Sequence, residues 1–230
     1  MRNAAEIAVA LDVDTLPEAF DLVRRIGPSV TWYKVGKQLF TQHGPETVRM
    51  LKAEGKKVFL DLKYHDIPNT VGQAVRAAAA IGADLTNVHA FGGPEMLAAA
   101  AKAATETGIK AIAVTVLTSM DAAQLQAVGV NATPAEQVLR LARLTKTAGM
   151  HGIVCSALEI GLMRGEFGRD FLLVVPGIRP AGSDKGDQKR VMTPRDAVRA
   201  GANILVIGRP ITGAADPAKA AADILADMRN

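Results

Sequence analysis

Ile7-Ala8-Val9-Ala10-Leu11-Asp12 runs directly into Val13-Asp14-Thr15. This apolar run, Ile7–Asp12, reads as the first strand. An open doubly wound sheet would be expected to follow its first strand with a glycine-rich phosphate loop. No glycine occurs between Ile7 and Thr15. The segment therefore favours a closed barrel, and the rest of the chain repeats the same unit.

Further strands are expected at Tyr33–Gly36, Val58–Lys63, Leu85–His89, Ala111–Leu117, Gly152–Ser156, Leu172–Gly177 and Ile204–Gly208. Amphipathic or alanine-rich segments separate them: Leu16–Ile26, Pro45–Ala53, Thr70–Ile81, Pro94–Thr107, Pro134–Ala148, Ala157–Phe167, Pro194–Ala200 and Pro217–Met228. Thr133-Pro134, Thr193-Pro194 and Asp216-Pro217 place a capping residue before a first-turn proline. Gly27, Gly55, Gly82, Gly108, Gly149 and Gly201 fall where helices end. Strand followed by helix, eight times over, predicts one α/β domain spanning residues 1–230, a (β/α)8 TIM barrel.

A barrel of this kind carries its chemistry at the C-terminal ends of its strands. Those ends hold Asp12, Lys34, Asp61 with Lys63, His89, Thr118 with Ser119, Gly177-Ile178-Arg179, and Gly208-Arg209. The densest group is Asp61-Leu62-Lys63-Tyr64-His65-Asp66. Strand alternation directs Asp61 and Lys63 to one face, with Leu62 on the other. Opposite charges at about 4 Å are worth about 4 kcal/mol at an effective dielectric near 20, before desolvation. Surface ion pairs are common at strand ends, but this face is otherwise apolar, and a buried charge cluster seldom adds stability for its own sake. A lysine between two carboxylates suits proton donation or anion binding. A Schiff-base role would need a lysine of depressed pKa.

The stretch Pro176 to Arg190, PGIRPAGSDKGDQKR, is long and rich in glycine and charge. With Gly208-Arg209 it predicts a phosphate site after the last two strands, where Arg179 and Arg209 offer forked donors.

Composition narrows the partners. The net charge is +4, which suits an anionic small molecule. The few aromatics and the interleaving of acids with bases argue against nucleic-acid binding. Met1 to Glu6 lacks the apolar stretch of a signal peptide, and no segment reaches the length of a membrane span. A cytoplasmic protein with no membrane contact is expected. The single cysteine, Cys155, excludes an internal disulfide and is read as a buried thiol. His43, His65, His89 and His151 show no metal-site spacing and are read as structural or solvent-facing. No metal or other cofactor is expected.

Asp61-x-Lys63-x-x-Asp66, joined to PGIRP and IGRPI, makes the chain resemble the bacterial type of orotidine 5′-monophosphate decarboxylases. The likeness extends through Ala10-Leu11-Asp12, Tyr33-Lys34-Val35-Gly36, DLKYHDIPNTV (61–71), Val114 to Ser119, Val154-Cys155-Ser156, PGIRP with Gly186-Asp187-Gln188, and VIGRPIT (206–212). It implies decarboxylation of orotidine 5′-monophosphate without metal or cofactor, in a homodimer with shared active sites. Lys63 would donate the proton to C6, Asp61 would face the departing carboxylate, and Lys34 would complete an alternating charge array. Asp66 and Thr70 would reach into the neighbouring subunit's site. The resemblance further implies that Asp12 holds a ribose hydroxyl, and that Thr118 with Ser119 contacts the pyrimidine. Gln188 would bridge base and phosphate, while Arg179, Gly208 and Arg209 would bind the phosphate.

Two rival functions fit the same fold. A magnesium-dependent sugar-phosphate decarboxylase or aldolase would use Asp12, Asp61 and Asp66 as ligands, in competition with Lys34 and Lys63. A non-catalytic nucleotide-binding barrel would not need the Asp61–Lys63 pair.

Overall fold

The computed structural model describes residues 5–180 and 191–229. Eight parallel strands close into a barrel in sequence order: β1 Glu6–Ala10, β2 Trp32–Gly36, β3 Lys57–Tyr64, β4 Leu85–His89, β5 Lys110–Val114, β6 Gly152–Val154, β7 Leu172–Val175 and β8 Ile204–Ile207. Closure is made by β1 against β8, with Ile7 opposite Leu205. The expected TIM barrel is the fold observed.

Helices Leu16–Ile26, Glu46–Ala53, Pro68–Ala80, Gly93–Thr107, Pro134–Thr147, Ile160–Phe167, Pro194–Ala200 and Pro217–Arg229 form the outer layer. Their ends follow local chemistry. Thr15 accepts from the Glu18 amide while the Glu18 carboxylate accepts from that of Thr15. Thr133 and Glu136 repeat the arrangement. All six glycines expected at helix ends have positive φ, and Gly108 and Gly201 are left-handed caps. No helix among the described residues is long and apolar enough to cross a membrane.

Three differences from the sequence reading matter. Short helices Lys37–His43, Ala122–Ala127 and Arg209–Thr212 follow β2, β5 and β8. They span at most two turns, too few for a hydrophobic period to be legible. Strands β1, β5, β6, β7 and β8 end earlier than expected, so Leu11, Asp12, Thr115–Leu117, Ser156 and Gly177 lie in loops above the barrel. Strand β3 is also irregular: Leu60 pairs with Thr86 and Tyr64 with Val88, so Asp61, Leu62 and Lys63 together face only Asn87. Lys63 adopts φ 53°, the only positive φ at a non-glycine position among the described residues.

The barrel interior is filled in layers. Ala8, Trp32, Phe59, Leu85, Ile112, Val174 and Ile204 pack as one apolar cluster across the floor. Trp32 donates from its indole to Glu6 at 3.1 Å. Two residues further along each strand, the same faces present Ala10, Lys34, Asp61, Asn87, Val114, Pro176 and Val206. Most of these line the cavity above the floor.

Strands β6 and β7 approach each other closely at Gly152. A Cβ on Gly152 would collide with the backbone carbonyl of Leu172. Gly152→Ala should lower stability by on the order of 3 kcal/mol, because backbone cannot move aside as a side chain can. Gly165 is exposed in its helix, with open space where an added methyl group would sit. Gly165→Ala should have the opposite effect, a gain of about 0.5–1 kcal/mol. Urea unfolding of both variants checks the pair; a Gly152→Ala midpoint equal to the parent's would contradict the packing.

Candidate active site

At the C-terminal mouth of the barrel lies a cavity of about 430 Å³. Its wall includes Asp12, Lys34, Asp61, Lys63, Thr118, Gly177, Arg179, Gly208, Arg209 and Thr212, above an apolar base of Ala10, Phe59, Val114, Val154 and Val206. Cys155 is 1% exposed and also touches this cavity, as a small buried thiol.

The charges alternate along one wall. Lys34 Nζ lies 2.9 Å from Asp12 Oδ1 and 3.5 Å from Asp61 Oδ2. Lys63 Nζ lies 2.5 Å from Asp61 Oδ1. Asp12, Lys34, Asp61 and Lys63 thus follow one another as minus, plus, minus, plus, contributed by the loop after β1, by β2 and by β3. Lys34 and Asp61 are buried, whereas Asp12 keeps more than half its side-chain surface. Burial pushes the Asp61 carboxyl up, but Lys34, Lys63 and hydrogen bonds from Lys63 and Asn87 outweigh it and hold the group below the usual carboxylate range. Gly36 leaves room for the array: a Cβ there would lie 2.9 Å from Lys34 Nζ and 3.0 Å from Asp12 Oδ1.

Asp61 and Lys63 meet as the alternation argument expected, but not through a regular strand. The left-handed backbone at Lys63 aims its ammonium back over Asp61, while Leu62 and Tyr64 pack outward against the helix layer.

Other expected residues lie elsewhere. Asp66 is exposed and accepts from the Ile67 amide at 2.7 Å; among the described residues no ion pair joins it to Lys63. Thr70 is exposed in the first turn of Pro68–Ala80. Thr118 lines the cavity, whereas the neighbouring Ser119 is exposed and does not. Arg179 Nη1 donates to its neighbour's carbonyl, Ile178 O, at 2.9 Å, and Arg209 is exposed at the cavity edge. Gln188 lies outside the described residues.

Sequence reading missed Asn87. It is fully buried, donates to Asp61 Oδ1 at 2.7 Å and accepts from the Lys63 amide at 2.8 Å. The signal was present: an amide inside the apolar run Leu85-Thr86-Asn87-Val88-His89, at the strand position equivalent to Asp61.

These features define a TIM-barrel enzyme site whose resource is preorganised charge. Comparison with known proteins is specific. A model of the orotidine 5′-phosphate decarboxylase / HUMPS family matches residues 5–224. The chain is 52% identical over 229 residues to an orotidine 5′-phosphate decarboxylase from Vibrio campbellii, covering 97% of this chain and 98% of that one. It is 53% identical over 225 residues to one from Pseudoalteromonas translucida, covering 96% of each. A crystal structure of orotidine 5′-phosphate decarboxylase from Lactobacillus acidophilus superposes with a TM-score of 0.87 at 37% identity, covering 99% of this chain and 100% of that one. The chain belongs to the orotidine 5′-phosphate decarboxylase / HUMPS family.

His89, at the end of β4, makes a testable electrostatic contrast with the array. Burial first, then the nearby His65, Lys63 and Lys37, push it down to about 4, with Asp61 opposing. Its ring lies 5.7 Å from that of His65. Between about pH 6.5 and 4 the unfolded chain takes up a proton that folded His89 refuses, so this group's contribution to stability is lost as pH falls through that window. His89→Gln should therefore reduce the stability difference between about pH 7 and pH 4.5 by on the order of 1 kcal/mol, its partial exposure tempering the effect. Urea midpoints of parent and variant at the two pH values measure it, and an unchanged difference would contradict the assignment.

Proposed function

We infer that the protein converts orotidine 5′-monophosphate to uridine 5′-monophosphate and CO2, a step of de novo pyrimidine biosynthesis. The observation that carries this reading is the Asp12–Lys34–Asp61–Lys63 array, set against an apolar base inside a closed barrel. The named relatives give no support to a magnesium-dependent aldolase or to a non-catalytic barrel.

The reaction breaks the bond from C6 to the carboxylate and leaves an electron pair at C6 that the ring delocalises poorly. Stabilisation must then come from charges already in place. Lys63, held at Asp61 on one side and open to the cavity on the other, is placed to put its ammonium beside that electron pair and to give C6 a proton. In this reading a substrate carboxylate approaches Asp61, and its departure as neutral CO2 relieves the opposition of two anions. Lys34 keeps Asp61 ionised and in place, and Asp12 binds a ribose hydroxyl as well as Lys34. Thr118 serves the pyrimidine, Gln188 bridges base to phosphate, and Arg179, Gly208 and Arg209 receive the phosphate; Ser119, exposed beside Thr118, is left without that role. Binding energy gained at the distant phosphate lowers the barrier when it orders the charges around C6.

The proposed reaction needs no metal or cofactor, and its setting is the cytoplasm. Turnover of orotidine 5′-monophosphate, followed by its loss of absorbance after dialysis against EDTA, should match that of the undialysed protein. Lys63→Ala should lower kcat by at least about 100-fold, the usual scale for losing a positioned acid. Activity lost in EDTA and restored by Mg²⁺ would overturn the metal-free reading; near-parental turnover by Lys63→Ala would remove Lys63 as proton donor.

The assembly proposed is a homodimer in which Asp66 and Thr70 complete the partner's site. Their exposure outside this chain's cavity, beside an Ile67 that is 66% exposed, supports that arrangement. Mixing inactive Lys63→Ala with inactive Asp66→Ala then creates one intact site in each mixed dimer. Random subunit exchange should restore about a quarter of parental activity. Exchange verified by mass labelling without recovery would place each complete site within a single chain.

A further inference from the structure

We propose that Asn87 is a positioning residue for the proposed decarboxylation, holding Lys63 and Asp61 in register through one side-chain amide. The inference rests on the functional reading above and concerns a residue that reading does not use.

The geometry is specific. Between the Leu60–Thr86 and Tyr64–Val88 pairs, three residues of β3 face one residue of β4. The backbone of β4 has too few groups there to pair with all three. Asn87 substitutes its side chain: its carbonyl oxygen accepts from the Lys63 amide at 2.8 Å, and its NH2 donates to Asp61 Oδ1 at 2.7 Å. That same Asp61 oxygen receives Lys63 Nζ. A closed ring results, running from the Lys63 backbone through Asn87 and Asp61 to the Lys63 ammonium.

A left-handed lysine costs about 1–2 kcal/mol and persists only where its surroundings over-determine it. At φ 53°, Lys63 has one identified anchor for its amide, and Asn87 provides it. Because Asn87 is fully buried, both halves of its amide act without competition from water. Nothing in the chemistry calls for Asn87 to meet substrate, since Asp61 and Lys63 line the cavity and Asn87 does not. Its effect is to decide where the ammonium sits relative to the carboxylate, and a displacement of about 1 Å in such a group is enough to cost about 100-fold in rate.

Two substitutions separate the halves of the amide. Asn87→Ala removes both bonds; Asn87→Asp keeps an acceptor for the Lys63 amide but loses the donor to Asp61. The folded Ala variant should show kcat lower by about 100-fold, with KM for orotidine 5′-monophosphate and Kd for uridine 5′-monophosphate within about fivefold of the parent. Hydrogen exchange at the Lys63 amide should accelerate at least about tenfold in Asn87→Ala and stay slow in Asn87→Asp. A folded Ala variant with kcat within about threefold of the parent, or with kcat and uridine 5′-monophosphate affinity falling together, would overturn the proposal. If the Ala variant does not fold, Asn87→Asp and Asn87→Leu carry the same measurements, and failure of all three to fold would assign Asn87 to stability alone and overturn it. Absence of turnover in the parent would instead overturn the functional reading, while the exchange measurement still decides whether Asn87 anchors Lys63.

Discussion

A carboxylate with only 8% of its surface exposed, Asp61, sits against two ammonium groups and an amide. An isolated charge could not be kept in that position, because the desolvation penalty would drive it to its neutral form. Every neighbouring element therefore answers to it. Strand β2 supplies Lys34, the loop after β1 supplies Asp12 to balance Lys34, and β3 breaks its own ladder to bring Lys63 within reach. Two negative and two positive groups leave the array formally neutral, so the site can hold strong local fields without a net charge to bury.

The barrel makes this arrangement stable by dividing its interior. The floor cluster around Trp32 and Phe59 is apolar and excludes water from below. One step of two residues along each strand changes the character of the interior from plug to site. Stability and chemistry thus occupy adjacent layers of the same strands, and the charged layer faces the end of the barrel where the cavity opens. His89 marks the edge of that layer: it lies among positive groups and stays neutral at physiological pH, adding no further cation beside Lys63.

The function proposed here follows from position more than from unusual reactivity. The array offers charge and a proton, and the proposed reaction asks for little else. Arg179, from the loop after β7, and Arg209, which opens the short helix after β8, are suited to hold an anion whose binding orients the reacting end. Exposed Asp66 and Thr70 show why the single chain does not present every residue the family resemblance implies: they are fixed by sequence next to Lys63 but turned away from its pocket by the start of Pro68–Ala80.

The sequence by itself determined the barrel, since the alternation of buried strands with capped helices is local and repeats along the chain. It also pointed to the ends of the strands as the candidate site, and of the residues it picked out the fold brings Asp12, Lys34, Asp61, Lys63, Thr118, Arg179, Gly208 and Arg209 to one cavity, but not Asp66, Thr70 or Ser119. Period-two spacing anticipated that Lys63 meets Asp61, although the strand is not regular there. Only the tertiary structure decided how: the left-handed turn at Lys63 depends on a partner in β4, 24 residues away. Asn87 was invisible for the same reason. Its type and position are read easily, but its importance comes from the three-against-one mismatch between β3 and β4, and strand register across a barrel is set by packing of the whole ring of strands and not by any one segment of chain.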